Sequence, residues 1–273
     1  MQPEIFQPHP DLAIVVKNYW TLESPKTLTP LKNIIIPDGC MKLIFHYGDS
    51  YKHYDECGQS ITLPKCFLIG QLTRPYVVEP MGETGTFFVC FHPDGFFPFS
   101  NVLIKDMENK AISLEYLFGE EGVVLAKKIV NATSTTQRIA LIEEFLFKQM
   151  SKPEMIDQIV TSMIDTILLT DGHLSVAELS IRSEINRRQL TKKFSTRIGL
   201  SPKQLSKIIR IQATLKVLLH HKIDHLTSLA CDKHFYDQAH FIKDFKTFTG
   251  LTPKEFYGDQ LKMSLIFENN DSI

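Results

Sequence analysis

Apolar positions fall in two textures along this chain. Upstream of about Ser151 they come in short β-branched or aromatic runs: Val15-Val16, Ile34-Ile35-Ile36, Met41-Lys42-Leu43-Ile44-Phe45, Cys66-Phe67-Leu68-Ile69 and Phe87-Phe88-Val89-Cys90-Phe91. Turn formers separate them: Pro37-Asp38-Gly39, Tyr47-Gly48-Asp49, Pro80-Met81-Gly82 and Pro93-Asp94-Gly95. Short runs between turn signals predict a small antiparallel sandwich or barrel. Residues 113–131 and 137–150 then read as helices, the second with Ile139, Ile142, Phe145 and Leu146 along one face. Farther on the helical period takes over. Residues 202–220 carry Leu205, Ile208, Ile209, Gln212, Leu215, Val217, Leu218 and Leu219 as a broad stripe on one long helix. Ser151-Lys152-Pro153 is the expected boundary between the textures.

The helical part writes one phrase twice. Phe194-Ser195-Thr196-Arg197-Ile198-Gly199-Leu200-Ser201-Pro202-Lys203-Gln204-Leu205 recurs as Phe245-Lys246-Thr247-Phe248-Thr249-Gly250-Leu251-Thr252-Pro253-Lys254-Glu255-Phe256. Each copy spells a helix end and a helix start. Gly199 and Gly250 suit the left-handed position after a helix. Ser201 and Thr252 suit N-caps, the following prolines suit the first helical position, and Gln204 and Glu255 close a capping box.

Upstream of each phrase lies a short helical stretch, a break and a longer helix. In the first copy these are Val176-Ala177-Glu178-Leu179-Ser180 and residues 186–194; in the second, Thr227-Ser228-Leu229-Ala230-Cys231 and residues 237–245. Asn186 and Asp237 are the expected caps of the longer helices, with Ser183 or Tyr236 as neighbouring boundaries. Leu190 with Phe194, and Phe241 with Phe245, share a face at four-residue spacing. Two helix-turn-helix units follow, joined by a helix of about 28 Å, near the 34 Å turn of B-DNA that separates successive major-groove segments.

On these residues, positions from about 155 to 258 resemble the DNA-binding domain of AraC/XylS-type transcription regulators. The matching residues are Leu179-Ser180, Leu190 with Phe194, Gly199-Leu200-Ser201-Pro202, the connector from Arg210 through Leu219, Leu229-Ala230, and the run from Phe235 through Lys246. The resemblance implies seven helices forming two helix-turn-helix units. His234 and Ser180 depart from the family's usual Gly and Ala. The resemblance further implies double-stranded DNA as partner, and RNA polymerase if the protein activates.

Charge supports this by its distribution. The chain holds 30 Lys/Arg and 31 Asp/Glu, but residues 172–258 hold 15 and 7, leaving 15 and 24 elsewhere. A basic module on an acidic body is the footprint of a DNA reader. With Leu190, Phe194 and Ile198 turned inward, Arg187, Arg188, Thr191, Lys192 and Ser195 turn outward. Arg188 and Lys192 are assigned to base edges. Gln238, Ala239, His240, Ile242 and Lys243 hold the corresponding places in the second unit, Gln238 suiting adenine and Lys243 guanine or phosphate. Arg187, Lys193, Lys203 and Lys246 are assigned to the phosphate backbone. The bland reading of each is a solvated helix surface.

The N-terminal part resembles, more weakly, the cupin-like domains preceding this module in many family members. The residues concerned are the run from Pro37 through Phe45, Gly70-Gln71-Leu72-Thr73, and the run from Val89 through Gly95. The resemblance implies binding of a small effector, homodimerisation, or both. His46, Gln71, Arg74 and His92, near expected strand ends, are the polar ligand candidates; the bland reading is a surface hydrogen bond. A metallo-cupin enzyme would need clustered histidines, whereas His46, His53 and His92 are scattered and His220-His221 diverge on a helix. Cys40, Cys57, Cys66, Cys90 and Cys231 are odd in number and lack C-x-x-C spacing, which fits free thiols in a reducing compartment. Nucleotide-binding loops, G-x-S-x-G and H-E-x-x-H are missing.

The expectation is therefore an α+β protein of two domains. Residues 1–152 form a β-rich, cupin-like sandwich or barrel with a helical extension. Residues 153–258 form an all-α, seven-helix double helix-turn-helix, and 259–273 a loose tail. The function expected is sequence-specific, effector-responsive transcription regulation, with no catalytic residue, metal or cofactor. The competing reading is a cysteine- or metal-dependent enzyme of the adaptive-response type fused to a DNA-binding module. Met1-Gln2-Pro3-Glu4 does not resemble a signal peptide and no run reaches the roughly 18 apolar residues of a membrane span, so a cytoplasmic location is expected.

Overall fold

Strands β1 (Glu4–Phe6), β2 (Val16–Ser24), β9 (Thr84–Phe91), β4 (Lys42–His46), β7 (Cys66–Ile69) and β10 (Ala111–Ser113) lie side by side in that order, every pair antiparallel. A second antiparallel sheet holds β3 (Asn33–Ile35), β8 (Tyr76–Pro80), β5 (Tyr51–Tyr54) and β6 (Ser60–Thr62). This is a computed structural model, and it describes residues 4–150, 157–220, 235 and 237–258.

The first sheet is covered on both faces. On one face Tyr19, Leu43, Phe45, Leu68, Phe87 and Val89 pack against helices α1 (Leu114–Asn131) and α2 (Thr135–Gln149), through Leu117, Leu125, Ile129, Ile142 and Leu146. On the other, Ile44, Phe67 and Ile69 meet Leu63, Tyr76 and Val78 toward the second sheet. A strand buried on both faces has no polar side to alternate with. That is why Leu43-Ile44-Phe45 and the run from Phe87 to Phe91 are continuous apolar stretches. Helix α1 starts at Ser113, whose hydroxyl accepts from the Tyr116 amide, and it breaks at Gly119, where φ is 59°.

The C-terminal part is helical: α3 (Gln158–Leu169), α4 (Val176–Arg182), α5 (Arg187–Arg197), α6 (Pro202–His220), α7 (Gln238–Thr249) and α8 (Pro253–Gly258). The capping boxes are made as the spacing predicts. The Gln189 amide donates to Asn186 Oδ1 at 2.9 Å, and the Asn186 amide returns to Gln189 Oε1 at 3.3 Å. Ser201 with Gln204, and Thr252 with Glu255, repeat that exchange. Gly199 and Gly250 take φ of 81° and 78°, the conformation that ends each helix. One core unites Leu179, Leu190, Phe194, Leu205, Phe241 and Phe245 among others.

Six of the seven expected helices lie among the described residues. The expected first helix of the second unit (227–231), with His234 and Tyr236, lies outside them. So do the boundary at Ser151-Lys152-Pro153 and the tail from 259 onward.

The two parts are in direct contact. Ile36, from the loop after β3, is buried in the helical core, and Gln212 Nε2 of α6 donates to Pro37 O at 2.7 Å. The Arg197 guanidinium lies 4.6 Å from the centre of the Phe97 ring, and Thr161 Oγ1 donates to Asp94 Oδ2 at 3.0 Å. Gly39 adopts φ of 78° against α6, where an added Cβ would come within 2.8 Å of Leu205 Cδ1.

Candidate nucleic-acid interface and cavity between the sheets

Helix α5 buries Leu190 and Phe194 and leaves Arg187, Arg188, Gln189, Thr191 and Lys192 exposed. Arg188 and Lys192, four residues apart, lie together on its outer side near the N-terminal end. Lys203, at the start of α6, is exposed as well. In α7, Phe241, Phe245 and Phe248 turn inward while Gln238, Ala239, His240, Lys243 and Lys246 stay at the surface. Ala239, Ile242, Lys243, Lys246 and Thr247 line a shallow groove on this outer side.

Three ion pairs fix these helices to their supports. Asp157, the N-cap of α3, accepts from Lys193 Nζ at 2.5 Å and lies 3.4 Å from Arg197 Nε. Burial works to raise the Asp157 carboxyl, but the hydrogen bond from Lys193, the Val160 amide and the two positive charges outweigh it and hold it below the usual range. Lys193 is thus tied to α3, whereas the sequence assigned it to a DNA phosphate. Lys207 of α6 pairs with Asp244 of α7 at 2.8 Å, joining the second reading helix to the connector.

The second feature is a cavity of about 120 Å³ between the two sheets. Its floor is three rungs of the six-stranded sheet: Asn18, Cys90, Lys42 and Ile69; then Trp20, Phe88, Ile44 and Phe67; then Leu22, Thr86 and His46. All but Thr86 line the space, with Tyr76 and Val78 opposite. Trp20 and Phe88 stack with ring centres 3.6 Å apart, and Trp20 Nε1 donates to Cys90 Sγ at 3.0 Å. Ile36, Asp38 and Cys40 close one side, and Gln212 reaches in from α6. The wall is shared between the sheets and the connector helix.

Lys42 Nζ donates to Asp38 Oδ2 at 2.6 Å; burial works against its charge, yet Asp38 prevails and its pKa rises. Burial pushes the Cys66 thiol up to about 12, and burial with the Asp38 charge does the same for Cys40. Such thiols are neutral and poor nucleophiles at ordinary pH. His46 lies inside at 3% exposure; burial, helped by the Lys65 charge, lowers its pKa to about 4.

Of the four ligand candidates named from sequence, His46 lines the cavity and the others do not. Gln71 is buried as a strut, its Nε2 donating to Gly39 O at 3.0 Å and Pro93 O at 3.3 Å. Arg74 pairs with Glu56 at the surface, and His92 Nε2 contacts Ala13 O at 3.1 Å. Sequence reasoning missed Asn18 and Trp20, because β2 carries buried polar residues and so lacks the apolar run that marked its neighbours. Among the described residues no three His, Cys, Asp or Glu side chains converge on a metal position, and no helix is long and apolar enough to cross a membrane.

A capped helix pair with a basic outer face, a long connector and a second helix with exposed basic residues are the parts of a helix-turn-helix DNA reader. Residues 167–258 match the family described as a helix-turn-helix domain, and residues 4–113 match a family described as a domain of unknown function, DUF6597. The C-terminal part is thus a helix-turn-helix domain, the class of module that binds DNA. No curated protein matches the sequence. Among solved structures, the chain is similar to ToxT from Vibrio cholerae O395, 16% identical over 89% of this chain and 98% of that one, with TM-score 0.46. Unsaturated fatty acid bound ToxT from Vibrio cholerae strain SCE256 is 14% identical over 88% and 98%, with TM-score 0.43. The C-terminal domain of AraT, a response regulator from Geobacillus stearothermophilus, is 18% identical over 38% and 88%, with TM-score 0.36. At these identities and scores the likeness is distant and assigns nothing to individual residues.

Proposed function

We propose that this protein is a sequence-specific transcription regulator of the AraC/XylS type that reads two neighbouring major-groove segments with α5 and α7, and that a small effector held between its two sheets biases how α6 sits. Arg188 and Lys192 meet base edges from α5; Gln238, His240 and Lys243 do so from α7. Arg187, Lys203 and Lys246 position the phosphates, and Thr191 and Ala239 lie against the groove. The protein works in the cytoplasm beside the DNA it reads. The observation that carries the effector half is the position of Gln212. It lines the cavity and also donates to Pro37 O, so one side chain of the connector touches both the space and the loop around it.

That loop has two faces. Ile36, Asp38 and Cys40 face the cavity, while Ile36 and Gly39 also lie against the helical core. An occupant that shifts the loop by a fraction of an ångström presses on a close-packed helix, which responds by rigid displacement rather than local give. Differential affinity of the effector for two placements of α6 is then the coupling.

Selection of bound duplexes from a random pool tests the DNA half. The expected product is a gapped site spanning two successive major-groove segments, about 20 base pairs. A pool that fails to enrich, or a site confined to one groove segment, sinks this reading.

A further inference from the structure

Resting on the reading of the cavity as the effector site, we infer that its occupant is a small, uncharged, largely apolar molecule with one hydroxyl group, and that His46 Nε2 binds that hydroxyl. Size comes first. A cavity of about 120 Å³ is close to the engineered apolar cavities of about 150 Å³ that stay dry and take up benzene. It therefore suits a molecule of roughly six to eight heavy atoms.

Charge comes next. Of the charged groups on the wall, Lys42 and Asp38 neutralise each other, and Lys17 is only partly buried. The rest is mainly aromatic and aliphatic. An ionised ligand placed beside His46 would lose its hydration without a partner charge.

The polar point is specific. His46 is 3% exposed, and its ring lies between Tyr51 and Phe67, at 5.0 and 5.7 Å between centres. Nδ1 is 2.8 Å from Thr86 Oγ1, which fixes the ring, while Nε2 has no hydrogen-bond partner among the described residues. A buried nitrogen left in that state costs stability. The Thr86 contact permits either tautomer, so Nε2 is donor or acceptor; a hydroxyl satisfies both.

One other buried atom on this wall is unpartnered, Asn18 Oδ1, at 5% exposure. Asn18 pairs with Cys90 and His46 with Thr86, four residues apart on β9. That separation is about 13 Å, more than a molecule of this size spans. Asn18 is thus the rival anchor, and the experiment separates the two.

Phenol and toluene have nearly the same shape and differ in the hydroxyl. Both are titrated, with benzoate, into the full chain and into H46L, H46Q and N18L, measuring affinity by calorimetry. The ratio of phenol to toluene affinity should fall about tenfold in H46L, stay near wild type in N18L, and be largely kept by H46Q, whose amide still offers a polar group. Nitrogen NMR of the wild-type protein gives a second readout that needs no variant: the His46 Nε2 resonance should move with phenol and stay with toluene. An unchanged ratio in H46L, a fall only in N18L, benzoate binding tighter than phenol, or no binding of either neutral probe overturns the assignment. DNA affinity with and without phenol is measured separately. Binding at His46 that leaves DNA affinity unchanged supports the assignment while removing the effector reading on which it rests.

Discussion

Arg188 stands on the outer side of α5 with Lys192 one turn along, both exposed. If Arg188 grips a guanine edge, R188A relaxes preference at one base position by about 1–3 kcal/mol and leaves binding to random duplex nearly unchanged. Competition between selected and random duplexes at fixed salt checks this; equal losses on both would make Arg188 a phosphate contact. Lys193 differs, because Asp157 already holds it, and no reading of α5 alone would reveal that long-range partner. His46 gives a second residue-scale prediction. Its folded pKa, about 4, lies below the ordinary value near 6.5. The unfolded chain therefore takes up the proton first as pH falls, and the stability this burial provides is complete above about pH 6.5 and lost as pH drops toward 4. The difference amounts to about 3 kcal/mol. Urea unfolding at pH 7 and pH 4.5 should show wild type losing more than H46Q by about 2 kcal/mol, most of that difference. An equal loss in both would mean that His46 is hydrated and free to charge.

Elements were legible wherever local chemistry alone fixes them. Asn186 and Gln189, Ser201 and Gln204, Thr252 and Glu255, and the two positive-φ glycines are all short-range devices, and each sits where spacing put it. The long α6 was legible from its stripe alone, ending at His220 as read. Strands were harder. The continuous runs marked β4, β7 and β9 because both faces are buried, but β2 carries buried Asn18 and Thr21, and β5 and β6 are short and partly polar. Asn18 faces the cavity and Thr21 the helix-covered side of the sheet, which only the sheet pairing decides. The same logic predicts which element fails first. Leu190 and Phe194 are fully buried, so L190A or F194A should destabilise by about 2–5 kcal/mol in thermal or urea unfolding. A cost under about 0.5 kcal/mol, the scale of surface changes, would place α5 outside the core.

The whole molecule adds what neither domain holds alone: a cavity whose wall includes a residue of the DNA-binding connector. Gln212 is buried, and its amide holds Pro37 O in the loop that closes the space. The sequence placed Gln212 in the apolar stripe of α6 but gave no reason for a polar residue there; the reason is a backbone carbonyl 175 positions away. Replacing it with leucine keeps the volume roughly constant and removes the link, leaving the Pro37 carbonyl without that donor. If coupling runs through this contact, Q212L should still take up a neutral probe and still select the same DNA site. The ratio of DNA affinities with and without probe should then fall toward one, from the roughly 5- to 150-fold range of ordinary allosteric coupling. Reciprocity supplies the check: saturating DNA must change probe affinity by the same factor in wild type and lose that factor in Q212L. Coupling that survives in Q212L with both factors intact would route communication through Arg197 on Phe97 and Thr161 on Asp94 instead. Those contacts join the same domains without touching the cavity loop. The two routes predict opposite behaviour for R197A, which should leave coupling intact if Gln212 carries it and abolish it otherwise.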